Sequence, residues 1–484
     1  MRIKSDLPAV LKYQAVIIES AARAAGLDFF EVVFELLDAR DVNGVAAYAG
    51  FPVRYPSWRF GMDYERLEKG RYWGLSKIYE LVINNDPTYA YLVRSNSLLE
   101  QKLVMAHVYG HADFFKNNLW FAPTDRKMLD TMGSHSTRVR RYIDGFGQER
   151  VERFLDLCLS MDTLVDPYLP LREHANPPDQ RSVYTPASER ARRTLDALTM
   201  SPLERDAPRD GTAEPVAARR NPRLSRLPTY DVLGFLQENA PLEVWERDVL
   251  HIVRSEAYYF APQRMTKIMN EGWASYWHSR LLTEGLLEAS EILDFADCHS
   301  SATVTGTGQV NPYKIGIEVF RHAARQGEDI HQLRRVHNDV SILHKVVDEE
   351  FARAHILPFF GAPAGSSPEV DWRELKTWLL QQLAWGGLPQ IELVEIDAEG
   401  EGELLFVHRH DGRDLLLDRA RETLRNLASL WKAPVHLLTV VEKQGRRLVA
   451  KDGEVSMLDT REAEGLCTTG SDPEESPDDR RRAV

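Results

Sequence analysis

QKLVMAHVYGHADFFKNNLWF, residues 101–121, is rich in Leu, Val, Met, Ala and Phe and holds no proline. That composition predicts a helix. On a helix, positions i and i+4 share one face a turn apart, so His107 and His111 point the same way. Two imidazoles so placed can offer two nitrogen ligands to one metal ion, and the spacing is that of the zinc-protease HExxH motif. The residue after the first histidine is Val108 rather than Glu. The stretch therefore predicts a metal site without the carboxylate that normally activates water. A glutamate restored at 108 is expected to lie near that water.

Two histidines need at least a third protein ligand, usually from another element. MNEGWASYWHSRLL (269–282) supplies a candidate in Glu271, set among Met269, Trp273 and Trp277. A carboxylate in such company is costly unless it is paired or metal-bound. His278 follows seven residues later on the same helix face, as a fourth ligand or as a group that holds Glu271 in place. Zinc is the first expectation for the metal, with iron and manganese as alternatives. In HIVRSEAYYF (251–260), Glu256 is a candidate substitute base with Arg254 beside it, against a plain reading as a helix-surface residue. His408 and His410 alternate along a predicted strand and read as ordinary strand residues.

Working outward, the 484 residues predict two or three domains. Hydrophobic residues at 43% and charged residues at 27% are ordinary for a globular protein. A net charge of -13 argues against general nucleic-acid or anionic-membrane binding. Cys158, Cys298 and Cys467 are scattered and form no CxxC pair, which suits a reducing compartment. No signal-peptide pattern and no bilayer-length apolar run is present, so no membrane insertion and a cytoplasmic location are expected.

The predicted fold is mainly α, a zincin-like helical core with a small C-terminal α+β domain. Residues 1–174 form the first part of the core, with helices over 5–48 and a strand pair turning at Asn84–Asp86. Residues 175–228 are crowded with Pro and Arg and predict a flexible insertion. Residues 229–388 resume the core, with two long helices separated near Pro262. Residues 389–458 alternate as ββαββ. Residues 459–484 have a disordered composition. Gly306 and Gly308 lack the third glycine of a dinucleotide fingerprint.

FPVRYPSWRFG (51–61), WGLSKIYELVINNDPTYAYL (73–92), VMAHVYGHADFFKNN (104–118), TKIMNEGWASYWH (266–278) and NPYKIGIEVFR (311–321) together resemble the SpoVR family, stage V sporulation protein R. The resemblance runs from about residue 5 to 450. It implies a cytoplasmic bacterial protein whose sporulating relatives act in forming the spore cortex, a peptidoglycan layer. It also implies a wider stress-related role, with a PrkA-like serine kinase and a von Willebrand A-type protein as partners. The family supplies no reaction; the metal site comes from the residues. Two functions follow as expectations. One is a metal-dependent amide or peptide hydrolase; the other is a non-enzymatic regulatory or scaffold protein with a degenerate site.

Overall fold

The structure, a computed structural model, describes residues 7–72, 80–175, 227–303, 311–357, 371–396 and 402–467. The Arg/Pro-rich stretch over 176–226, Gly306, Gly308 and the tail from 468 lie outside those residues. Helices dominate up to residue 383, and a five-stranded sheet domain follows. Among the described residues, no helix is long and apolar enough to cross a membrane.

The first part runs α1 (Ala9–Ala24), β1 (Val32–Leu37), α2 (Ala39–Ala47), α3 (Trp58–Tyr72), β2 (Glu80–Ile83), β3 (Thr88–Val93) and α4 (Leu98–Asn117). The segment after α1, expected to be helical, opens with a strand. Its β-branched start pairs in parallel with β3, from Val32 opposite Thr88 to Leu37 opposite Val93. β2 and β3 form the expected hairpin, so β3 is the centre of a three-stranded sheet. This parallel partner lies more than fifty positions downstream of β1 in the chain, where a local reading of periodicity does not look.

α4 starts at a capping box: the Ser97 hydroxyl accepts from the Glu100 N–H, and the Glu100 carboxylate accepts from the Ser97 N–H. Most of its 20 residues are buried, on every face, which marks a central helix rather than a surface one. α5 (Met128–Phe146), α6 (Gln148–Leu159) and α7 (Leu169–Ala175) follow it. After the undescribed stretch come α8 (Val232–Asn239), α9 (Val244–Met265) and α10 (Lys267–Leu281). The break expected near Pro262 falls instead at Thr266, whose hydroxyl donates to the Pro262 carbonyl, and Pro262 stays inside α9. Asp339 caps α10, accepting from the N–H groups of Ile268 and Met269 at 2.9 and 2.8 Å. α11 (Ile292–Thr303), α12 (Pro312–Arg325), α13 (Ile330–Val336), α14 (Asp339–Val346) and α15 (Trp372–Leu383) complete the helical part.

α10 is wedged between α4 and α12, and glycines set the spacing. A Cβ on Gly110 would lie 2.6 Å from the Ala274 Cα, and one on Gly316 would lie 2.6 Å from the Gly272 Cα. The three helices therefore touch backbone to backbone in the largest hydrophobic core, beside Trp273, Met105 and Phe320.

The C-terminal part has more strands than the ββαββ expectation. β4 (Ile391–Ile396), β5 (Leu404–His408), α16 (Leu417–Trp431), β6 (Val435–Val441), β7 (Gln444–Lys451), β8 (Glu454–Asp459) and α17 (Glu462–Cys467) pair in the order β4-β5-β6-β7-β8. β5 and β6 run parallel across α16; the other pairs are antiparallel. The turns after β6 and β7 are two-residue hairpins with positive φ at both positions, Glu442–Lys443 and Asp452–Gly453, and the second of them adds the strand β8. α17, in a region expected to be disordered, covers the sheet with Ala463 and Cys467. The sheet shares a core with the helices: Leu393, Phe406 and Leu427 cluster with Val232, Phe235 and Leu250. Thr229 and Leu393 also exchange backbone hydrogen bonds of 2.9 Å.

The glycine contact gives a direct expectation. Gly272→Ala forces α10 away from α12 and should cost about 1–3 kcal/mol, as overpacking does. Gly133→Ala in α5, where a Cβ would meet nothing within 4 Å, should be neutral or stabilise by about 0.5–1 kcal/mol. Urea denaturation of the two variants checks this. Equal stability of Gly272→Ala and wild type would show that the helices part without loss.

Candidate metal centre

α4 sends two imidazoles into one buried space. The His107 and His111 ring centroids are 4.5 Å apart, and both side chains are buried. α10 faces them through the Gly110–Ala274 contact and brings Glu271 with it. Glu271 Oε2 stands 3.5 Å from His107 Nε2 and 3.6 Å from His111 Nε2. β2 adds a second carboxylate, with Glu80 Oε1 at 3.9 Å from His107 Nε2. One ligand atom each from Glu80, His107 and His111 falls within a 4.8 Å span.

A tetrahedral ion with bonds of about 2.0–2.1 Å separates its ligand atoms by roughly 3.3 Å. The 3.5 and 3.6 Å separations match that spacing, and the 3.9 Å to Glu80 is looser. His107 Nε2 and Glu271 Oε2 are also buried with no hydrogen-bond partner among the described residues. Two such atoms facing each other at the outer edge of hydrogen-bonding distance are costly unless something polar joins them.

The other nitrogen of each imidazole is spoken for. His111 Nδ1 lies 2.9 Å from Asn270 Oδ1, and an amide oxygen only accepts, so Nδ1 carries the proton and the Nε2 lone pair faces Glu271. His107 Nδ1 lies 2.9 Å from His278 Nδ1, and His278 Nε2 lies 3.0 Å from His299 Nδ1 on α11. His278 thus stands behind His107 rather than in line with Glu271. Tyr313 of α12 lies near-parallel to the His107 ring, with centroids 6.2 Å apart, and favours the charged form of Glu271.

Electrostatics follow from this packing. Burial holds His111 down to about 4, helped by the neighbouring His107, so its imidazole is neutral. Burial and then His107 and His299 push His278 well below its ordinary value. Burial also opposes charge on His107, but Glu271 and Glu80 outweigh it and raise its pKa. For Glu271, burial acts upward, and His107, His111 and Tyr313 together bring it below the usual carboxylate value. Glu80 is raised, by burial first and Glu271 after it, against the pull of His107.

Of the residues singled out from sequence, His107, His111 and Glu271 converge, with His278 one layer out. Glu256 and Arg254 are engaged elsewhere. Glu256 is buried rather than on a helix surface, because Arg54 and Tyr55 of the FPVRYP stretch reach it. Its Oε2 pairs with the Arg54 guanidinium and accepts from the Tyr55 hydroxyl at 2.9 Å, and its Oε1 lies 3.0 Å from His135 Nδ1. Arg254 forks onto Asp231. Among the described residues, these hydrogen bonds of Glu256 and Arg254 involve no member of the His107 group. His408 pairs with Thr439 at 2.9 Å and His410 with Asp414 at 2.8 Å. Val108 is fully buried in the main hydrophobic core, so a glutamate there meets apolar neighbours.

Sequence reasoning missed Glu80, Asn270, His299 and Tyr313. Asn270 precedes Glu271 and Tyr313 sits in NPYKIG, so each lies inside a motif that the sequence makes conspicuous. Glu80 heads the strand ELVI, where a lone charge reads as an edge residue.

Comparison with known proteins agrees along nearly the whole chain. Residues 5–384 match the family model described as SpoVR like protein, and residues 389–442 match the SpoVR-like C-terminal domain. The chain is 30% identical over 496 residues to the uncharacterized protein YcgB of Escherichia coli (strain K12), covering 91% of this chain and 92% of that one. No solved structure matches it. With both family models matched in order along one chain, the protein belongs to the SpoVR family.

Proposed function

We propose that this protein binds one divalent metal ion through His107 Nε2, His111 Nε2 and Glu271, and uses it for hydrolysis of an amide or peptide bond. The observation that carries the reading is the facing pair of buried, unpartnered atoms, His107 Nε2 and Glu271 Oε2, at a metal-ligand spacing. Two imidazoles and one carboxylate suit zinc, and equally iron or manganese, with His107, whose pKa the two carboxylates raise, giving up its Nε2 proton on binding. A bound divalent ion would act as a Lewis acid and draw the pKa of a water towards neutrality. Glu80 would be the carboxylate to take the proton from such a water, in the role that position 108 leaves empty. Its looser 3.9 Å distance suits a base better than a ligand. A helical zincin-like arrangement is part of this reading, with α4 and α10 as the ligand helices.

A second reading rests on Val108. The position that carries the base in HExxH is apolar and fully buried here, which favours a structural ion in a regulatory or scaffold protein. For either reading we take the partners implied by family resemblance, a PrkA-like serine kinase and a von Willebrand A-type protein. The setting is the cytoplasm, in cortex formation where relatives sporulate and in stress response elsewhere.

Elemental analysis of anaerobically purified protein tests the site. Wild type should hold one metal per chain, His107→Ala and His111→Ala none, and Glu271→Gln a weakly retained fraction. A metal-free wild type after reconstitution, with the histidine variants equally stable, overturns the site. Glu80→Gln separates the two functions. If Glu80 is the base, that variant keeps its metal and loses about 10²–10⁴-fold in the hydrolysis of peptide and muropeptide amides. Full metal content with no hydrolysis by wild type across such a panel selects the structural reading.

Val108→Glu is expected to lose stability and gain no hydrolysis. It places a carboxylate in an apolar core where nothing pairs with it. Thermal unfolding checks this, and a stable variant with raised activity would mean that residue 108 reaches the ion.

A further inference from the structure

Resting on the metal reading above, we infer that His278, His299 and Asn270 are positioning residues that fix which nitrogen each ligand histidine presents. The geometry leaves one consistent set of protons. If the His107 Nε2 lone pair serves the ion, its Nδ1 carries hydrogen and donates to His278 Nδ1, 2.9 Å away. His278 Nδ1 is then an acceptor, so its hydrogen sits on Nε2 and is donated to His299 Nδ1 at 3.0 Å. Reversing one proton in this string reverses the next and turns an N–H of His107 towards the ion. His111 is set independently by Asn270 Oδ1.

The string spans three helices: α4 holds His107, α10 holds His278, and α11 holds His299. Lys102 of α4 ties the start of α11 in place through Glu291, with a 2.8 Å ion pair. The metal-facing nitrogen of α4 is thus chosen from a side chain two helices away. His278 has both ring nitrogens occupied by other imidazoles, which leaves it none for the metal. Partners that orient ligand histidines are typically worth 10–100-fold in metal affinity.

Cobalt(II) titration of the full chain, followed by visible absorption, tests the inference. His278→Phe should weaken cobalt binding about 10–100-fold, and His278→Gln should recover part of it, because an amide oxygen can accept from His107 Nδ1. Asn270→Leu should weaken and Asn270→Asp should restore binding through His111. His299→Phe should weaken binding less than His278→Phe, at an unchanged melting temperature. In the zinc-loaded protein, ring ¹⁵N spectra should show His107 and His111 protonated on Nδ1. Wild type that binds cobalt while His278→Phe and Asn270→Leu bind equally well overturns the inference and leaves the metal site standing. Loss of binding in His278→Phe that Gln does not recover, with a changed wild-type coordination spectrum, also overturns it, since His278 is then a ligand. Wild type that binds no cobalt overturns the metal reading itself.

Discussion

The close approach of three helix backbones at Gly110, Gly272 and Gly316 is the constraint on which the rest of the molecule depends. Any side chain at these positions would hold α10 off α4 or α12, and an interaxial distance set by larger residues is 8–10 Å. Removing the side chains brings Glu271 to within 3.6 Å of both imidazoles. The same contact carries Asn270 and His278 to the far nitrogens of those rings. Glycine is a poor helix former, costing about 1 kcal/mol relative to alanine, so its use at one position in each of three adjoining helices marks a place where proximity outweighs propensity.

The treatment of other buried carboxylates sharpens the meaning of the unpartnered one. Asp113 is buried and raised to about 6, and it receives the Trp273 indole N–H at 2.7 Å, the Asp28 backbone N–H at 2.8 Å and the Arg334 charge. Asp339, raised to about 7 by burial, receives two backbone N–H groups at the start of α10. Glu256 is satisfied by Arg54, Tyr55 and His135. The fold thus supplies donors to each of these three buried acids. Among the described residues, Glu271 Oε2 is the only buried carboxylate oxygen without a hydrogen-bond partner, and the atom opposite it is an unpartnered imidazole nitrogen.

What could be read from the chain alone follows from how local each signal is. His107 and His111 were legible because a helix fixes the i,i+4 relation, and Glu271 because a charge among Met and Trp is conspicuous. Glu80 was not, since its approach depends on β2 packing beside α4 and on β3 pairing with β1, contacts made across the chain. β1 hid for the same reason: VVFELL fits a helix as well as a strand until its parallel partner is known. Glu256 looked exposed because its partners come from residues 54, 55 and 135, far away in sequence. The extra strand β8 does have a local signal in Asp452–Gly453, a type I′ turn pair that alternation alone does not weigh.

His278 shows what helix spacing leaves undetermined. Position 278 lies two turns from Glu271, so helix periodicity puts both on one face and says nothing about depth. In the structure that face is shared out: Glu271 meets the Nε2 edge of the imidazoles, while His278 meets the Nδ1 edge of His107. A histidine has two nitrogens with opposite duties, and a ligand histidine needs a partner on the one it does not give to the ion. Asn270 does for His111 what His278 does for His107, from the same helix and at the same 2.9 Å. One helix thus carries both the acid that faces the imidazoles and the two groups that orient them, so displacing α10 would disturb all three contacts together.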